Sequence, residues 1–100
     1  MDAQLKKGLL DAYMLALLNK KSSYGYELLQ KVLEVMEISE STLYPILRRL
    51  EVQGFLSTYN AEFNGRLRKY YKIKPEGVNK LMLYKKECLD LKKIINEIFA

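Results

Sequence analysis

The chain is predicted to be a mainly α-helical domain with a two-stranded β ribbon past its middle and a long helix at its C-terminal end. Three observations carry this expectation. Apolar residues recur at three- and four-residue steps in successive segments before residue 53, the spacing that lines one face of a helix. Two strand-like runs, LSTYNAEF (56–63) and RLRKYYKI (66–73), flank Asn64-Gly65, a strong hairpin signal because a type I′ turn needs positive φ at both central residues. Beyond them Leu81, Tyr84, Cys88, Leu91, Ile95 and Ile98 alternate steps of three and four, the pattern of a coiled-coil seam.

The elements follow in order. Residues 5 to 19 place Leu5, Leu9, Leu10, Tyr13, Met14, Leu17 and Leu18 on the buried face of a first helix. Lys20 to Ser23 form a polar connection, and Ser23 suits the N-cap of a second helix reaching about Met36, with Leu28, Leu29, Val32 and Leu33 or Met36 inward. Only Glu37 to Ser39 separate that helix from the next, and helices joined so tightly cross steeply, as in a helix-turn-helix. Gly54 ends the third helix. Pro75 suits the first position of the last helix, where its missing N–H costs nothing, and Glu76 complements the dipole there. The reading divides the chain into residues 1–74, a helix-turn-helix with a β wing, and residues 75–100, a C-terminal dimerisation helix of the same compact unit.

Composition narrows the function. A chain of 100 residues, 49% hydrophobic and 29% charged, fits one folded domain. No apolar run reaches the roughly 18 to 20 residues of a membrane span and the N-terminus lacks a signal-peptide pattern, so a cytoplasmic protein with no membrane partner is expected. The single cysteine, Cys88, allows no internal disulfide. Without histidine there is no imidazole base and no Ser-His or Cys-His pair. One cysteine makes no zinc cluster. Neither an enzyme nor a metal or other cofactor is expected.

Charge is unevenly placed. Between residues 41 and 74 stand Arg48, Arg49, Arg66, Arg68, Lys69, Lys72 and Lys74 against Glu51 and Glu62, which accounts for the whole formal net charge of +5. All four arginines lie in that third of the chain. The guanidinium fork suits bidentate contacts to phosphate and guanine, so their confinement points to double-stranded DNA rather than to an ordinary solvated face.

On the third helix, Leu43, Ile46, Leu47 and Leu50 fall inward, while Ser41, Pro45, Arg48 and Val52 point outward with Tyr44 and Arg49 on the flanks. Ser41, Thr42, Tyr44, Pro45, Arg48 and Arg49 are therefore the candidate recognition-helix residues. Pro45 deletes a helical hydrogen bond to Ser41 and predicts a tightened or bent first turn that gathers Ser41, Thr42 and Tyr44 at the tip. The candidate wing residues are Arg66, Arg68, Lys69, Tyr70 and Lys72, beside a major-groove helix and within reach of phosphates or the minor groove. Tyr71 and Ile73 share the inward face of their strand.

The runs YGYELLQKV, ISESTLYPILRRLEVQGFL and NGRLRKYYKIKPEG, in that order and spacing, resemble the PadR family of bacterial winged-helix transcriptional regulators over about residues 9 to 77. The resemblance implies a DNA-binding homodimer, usually a repressor, released from its operator by a small molecule. It also implies that Thr42, Tyr44, Arg48 and Arg49 lie on the recognition helix and Arg66, Arg68 and Lys69 on the wing. Many relatives carry glycine at the position of Ser41 and proline at that of Leu67. The single helix after the wing matches the compact branch of the family.

The seam of Leu81, Tyr84, Cys88, Leu91, Ile95 and Ile98 is expected to pair with a second copy, placing two recognition helices about one DNA turn, roughly 34 Å, apart on a near-palindromic site. Cys88 is expected to be a small buried apolar residue there. Tyr13, Tyr84, Cys88 and Phe99 are candidate linings of a pocket for a small aromatic effector. The competing reading is a winged-helix module that binds an acidic protein partner.

Overall fold

A computed structural model describes residues 3–100. The order is α1 (Ala3–Lys20), β1 (Ser23–Tyr24), α2 (Gly25–Leu33), α3 (Glu40–Val52), β2 (Leu56–Phe63), β3 (Arg66–Ile73) and α4 (Pro75–Ile98). No helix among the described residues is long and apolar enough to cross a membrane.

The core lies where α1, α2 and α3 meet the base of the ribbon. Leu10, Met14, Leu15 and Leu18 of α1 pack with Leu28, Leu29 and Val32 of α2, Leu43, Ile46, Leu47 and Leu50 of α3, and Leu56 and Tyr71 of the sheet. All four expected inward residues of α3 are buried. On α1 the buried stripe is rotated from the expected one: Leu15 is fully buried, Leu5 is exposed, and Leu9, Tyr13 and Leu17 are half-buried. Leu33 is also exposed, because α2 ends there, three residues short of Met36, which packs on the core from the loop.

The sheet has three strands in the order β1-β3-β2, where two were expected. β1 is only two residues long, pairing Ser23 with Tyr71 and Tyr24 with Tyr70, too short to leave a periodic signal. Ser23 is consequently not the N-cap of α2; Tyr24 is, without a side-chain cap bond. The β2–β3 hairpin forms as predicted, with Phe63 opposite Arg66 as its last pair. Asn64 (φ 50°) and Gly65 (φ 77°) both take the left-handed conformation that a type I′ turn requires.

α3 ends at Gly54 (φ 84°), where the Gly54 N–H donates to the Glu51 carbonyl and the Phe55 N–H to that of Leu50, each 3.0 Å. This Schellman pair satisfies two carbonyls that the helix end would leave bare. α4 starts at Pro75 and is seated by Gly77, where any side chain would collide with the Phe55 carbonyl. It holds 24 residues, about 36 Å at 1.5 Å per residue. Leu81 and Tyr84 pack on the core, whereas every residue from Lys85 onward is exposed. The molecule measures 54 × 28 × 20 Å with a radius of gyration of 14.8 Å, against about 13 Å for a compact chain of this length. The long α4, exposed at every residue beyond Tyr84, accounts for the elongation.

Candidate nucleic-acid interface

α3 is anchored on one side only, and its other side is chemically varied. Ser41, Thr42, Tyr44, Pro45, Arg48 and Val52 are all exposed. At the N-terminal tip the Ser39 carbonyl accepts from both the Thr42 and Leu43 N–H groups, 3.1 Å each, so the first turn is tightened while the helix runs unbroken through Pro45. The Ser39 hydroxyl lies 2.8 Å from that of Ser41 and 3.2 Å from that of Thr42. Three hydroxyls thus form one patch at the N-terminal end of a helix, whose dipole favours an anion there.

Tyr44 is held from behind. Gly25, the first residue of α2, is buried beneath its ring, and a Cβ at that position would collide with the phenol. Burial first, then the Glu40 carboxylate and Tyr71, raise the Tyr44 pKa above that of a free phenol. The hydroxyl is therefore a neutral donor at physiological pH, fixed in direction but half open to solvent.

The arginines divide. Arg48 makes no ion pair with any described residue and is exposed. Its neighbour Arg49, expected on the outward flank, turns back: Nη2 donates to Asp11 Oδ1 at 2.6 Å, and Arg49 also reaches Gln53 Oε1 at 3.4 Å. Asp11 is only 6% exposed, on the buried face of α1. A buried carboxylate without its cation would be costly, so Arg49 is held by α1, its side chain 33% exposed at the edge of the groove that Ser41, Thr42 and Pro45 also line.

The ribbon sorts its side chains by strand alternation. Tyr24, Tyr59, Phe63, Arg66, Arg68, Tyr70 and Lys72 share the outer face, while Lys69, Tyr71 and Ile73 face α3 and the core. On the outer face the Arg68 guanidinium carbon lies 4.5 Å from the Tyr24 ring centre and 5.6 Å from that of Phe63. Its Nε is buried without a hydrogen-bond partner, its charge being stabilised by the ring faces instead. Tyr70 stacks on Tyr59 (5.4 Å, 11°) and meets Tyr24 edge-on (5.5 Å, 73°). Tyr70, expected as a possible phosphate ligand, is thus built into an aromatic layer that stiffens the ribbon. On the inner face Lys69 lies 3.5 Å from Glu51 of α3 and 5.3 Å from the Tyr71 ring centre. Arg66 and Lys72 are exposed and make no ion pair with a described residue.

A groove of about 900 Å³ opens between the first turns of α1 and α3, lined by Lys6 and Lys7 on one side and Ser41, Thr42 and Pro45 on the other. Two lysines from the charge-balanced part of the sequence therefore border the same surface. The residues expected to line an effector pocket do not meet within one chain. Tyr84 and Cys88 line a cavity of about 230 Å³ between α1 and α4, Tyr13 lines a separate one of about 440 Å³, and Phe99 is 80% exposed at the far end of α4. Cys88 is exposed, not buried, in the single chain.

Sequence reading missed Asp11, Gly25 and the ring partners Tyr24, Tyr59 and Phe63. Asp11 carried a signal: it falls at i, i+3, i+4 and i+7 with Met14, Leu15 and Leu18, a charge within an apolar stripe. The others are set by pairings across the fold that no local pattern encodes.

Three helices, with α2 and α3 joined by residues 34–39 where the sequence predicts only Glu37 to Ser39, and a hairpin carrying cations beside the exposed side of α3 define a winged helix-turn-helix protein. Comparison with known proteins makes the assignment specific: residues 14–82 match the Transcriptional regulator PadR-like family, and the chain belongs to that family, one of transcription regulators rather than enzymes. It is 35% identical over 95 residues to an uncharacterized protein of Lysinibacillus sphaericus, covering 90% of this chain and 87% of that one. Among solved structures it is similar to a transcriptional regulator from Clostridium thermocellum, at 34% identity and a TM-score of 0.87 over 100% of this chain and 99% of the other. It is likewise similar to a PadR family transcription regulator from Clostridium difficile R20291, at 33% identity and a TM-score of 0.85 over 91% and 98%.

Proposed function

We propose that this DNA-binding regulator is a cytoplasmic repressor that binds a near-palindromic operator as a homodimer. The observation that carries the proposal is the exposed side of α3. There Ser41, Thr42, Tyr44 and Arg48 stand together on a helix seated on the core, with Arg66 and Lys72 on the neighbouring ribbon unpaired among the described residues. Recognition helices read bases with such a tip, and flanking cations hold phosphates. In this reading Thr42, Tyr44 and Arg48 read the major groove, Ser41 and Pro45 shape the approach, and Arg66, Arg68, Lys69 and Lys72 of the wing supply backbone affinity.

The second copy is supported by α4. Beyond Tyr84 the helix exposes Leu91, Ile95 and Ile98 of the seam together with Leu89 and Ile94, an apolar length that water alone does not stabilise. Pairing two such helices buries these side chains and completes the α1–α4 cavity lined by Tyr84, Cys88 and Leu91, where a small aromatic effector would bind and release the operator. The proposal is tested by selecting duplexes from a randomised library with the purified chain and measuring affinity against salt. It predicts an enriched inverted repeat, two chains per duplex and a slope of about −0.9 per phosphate neutralised. A shallow slope with no enriched repeat would favour an acidic protein partner instead.

A further inference from the structure

Charge balance along the sequence conceals where two lysines end up. Lys6 and Lys7 belong to a stretch whose acids and bases cancel, yet the start of α1 carries both to the rim of the groove beside α3. Lys7 is exposed and Lys6 half-buried, and neither makes an ion pair with a described residue. The facing wall is the tip of α3, with the buried Leu10 and Ile46 beneath. Glu37 is the one acid among the lining residues, and Arg49 at the edge has its charge already taken by Asp11. The two lysines therefore supply the positive charge that a ligand in this groove would meet.

The groove and the ribbon touch different sides of α3. Tyr44 borders a hollow with Arg68 and Lys69, and Glu51 meets Lys69 and Thr58, so these two α3 residues mark the ribbon side. Ser41, Thr42, Pro45 and Arg49 mark the groove side. At 100° per residue the two sides lie roughly 125° apart around the helix, with Arg48 between them. A helix laid in a major groove has a sugar–phosphate backbone on each flank. The wing's cations serve one flank, and the sequence pattern assigned nothing to the other.

We propose that Lys6 and Lys7 bind the sugar–phosphate backbone on the flank of α3 opposite the wing, the strand running along the groove past the Ser41 hydroxyl. This rests on the reading of α3 as a recognition helix. Two observations select the occupant. The groove is continuous with the exposed tip of α3, since both include Ser41, Thr42 and Pro45, so a duplex docked on that tip covers it. Its charges are ammonium groups on flexible stems, which hold a phosphate as point charges and carry no base preference.

The test titrates the wild-type chain, the Lys6→Gln/Lys7→Gln double variant and Arg66→Ala onto a duplex selected by the wild type and onto random duplex, over a range of salt. The titrations are then repeated on selected duplexes carrying a single uncharged methylphosphonate linkage at each position in turn. This scan reads location, which a weakened fold would not move. The double variant is expected to bind both duplexes about 10- to 100-fold more weakly at ~0.1 M salt, with its log-log salt slope flattened by about 1.8. Its ranking of altered operator bases should stay within about twofold of wild type, because phosphate contacts position without specifying. Certain linkages should weaken the wild type and leave the double variant unaffected, and they should differ from those to which Arg66→Ala is insensitive. An unchanged slope in the double variant would overturn the proposal and leave the groove to a small anionic ligand. The same insensitive linkages in both variants would overturn it too. A wild-type chain whose affinity ignores salt would instead remove the DNA reading beneath it.

Discussion

Arg48 and Arg49 are neighbours in the chain yet belong to two regions of the molecule governed by different physics. Arg48 stands on the outward side of α3, exposed and unpaired among the described residues. Arg49 enters the junction of α1, α3 and α4, tied to a buried aspartate. A 100° step around the helix separates a cation free for a partner from one already used by the fold. Charge counted along a sequence does not equal charge offered to a ligand, and the ribbon repeats the lesson. There Arg66 and Lys72 make no ion pair with a described residue, Arg68 lies against two aromatic rings, and Lys69 is paired to Glu51.

The largest effect tests what both regions share. Leu47 is fully buried beneath α3, and Leu47→Ala should lower unfolding stability by about 2 to 5 kcal/mol, seen in the denaturant midpoint. Next comes the arginine pair itself. Arg49→Ala strands the Asp11 carboxylate and should cost about 1 to 3 kcal/mol of stability, whereas Arg48→Ala should leave the midpoint where it was. Arg48→Ala should instead weaken binding to a selected duplex by about 1 to 3 kcal/mol while affecting random duplex less. Swapped outcomes would show the two regions to be wrongly drawn.

Smaller effects refine the ribbon. Arg66→Ala and Lys72→Ala should weaken selected and random duplexes alike, each flattening the salt dependence by about 0.9 if it neutralises one phosphate. Glu51→Gln breaks the part-exposed pair with Lys69 but keeps an amide oxygen that can accept from the Thr58 hydroxyl, and should change stability by less than about 1 kcal/mol. It should slightly raise affinity for any duplex, since it removes a carboxylate beside the cations.

The parts of this picture that rest on local chemistry were legible in the residues. Asn64-Gly65 demands one turn, Pro75 opens a helix, Gly54 closes one, and the stepping of Leu43, Ile46, Leu47 and Leu50 fixes which side of α3 is buried. The outward side followed from the same geometry. What escaped was set by partners distant in sequence: Arg49 is claimed by a residue 38 positions earlier, and Tyr70 is layered between Tyr59 and a strand of two residues. The seating of Tyr44 on Gly25 is likewise a contact between helices. Helical phase alone assigns Arg49 to a flank and leaves its direction open; only the acid on α1 decides it.

The most direct measurement follows the four arginine side-chain Nε–H resonances by NMR as duplex DNA is added to the isotopically labelled protein. Arg48 and Arg66 are predicted to shift or broaden while Arg49 stays where it was, because only the first two are offered outward. Movement of Arg49 as large as that of Arg48, or no movement of Arg48 and Arg66 at saturating duplex, would contradict the account.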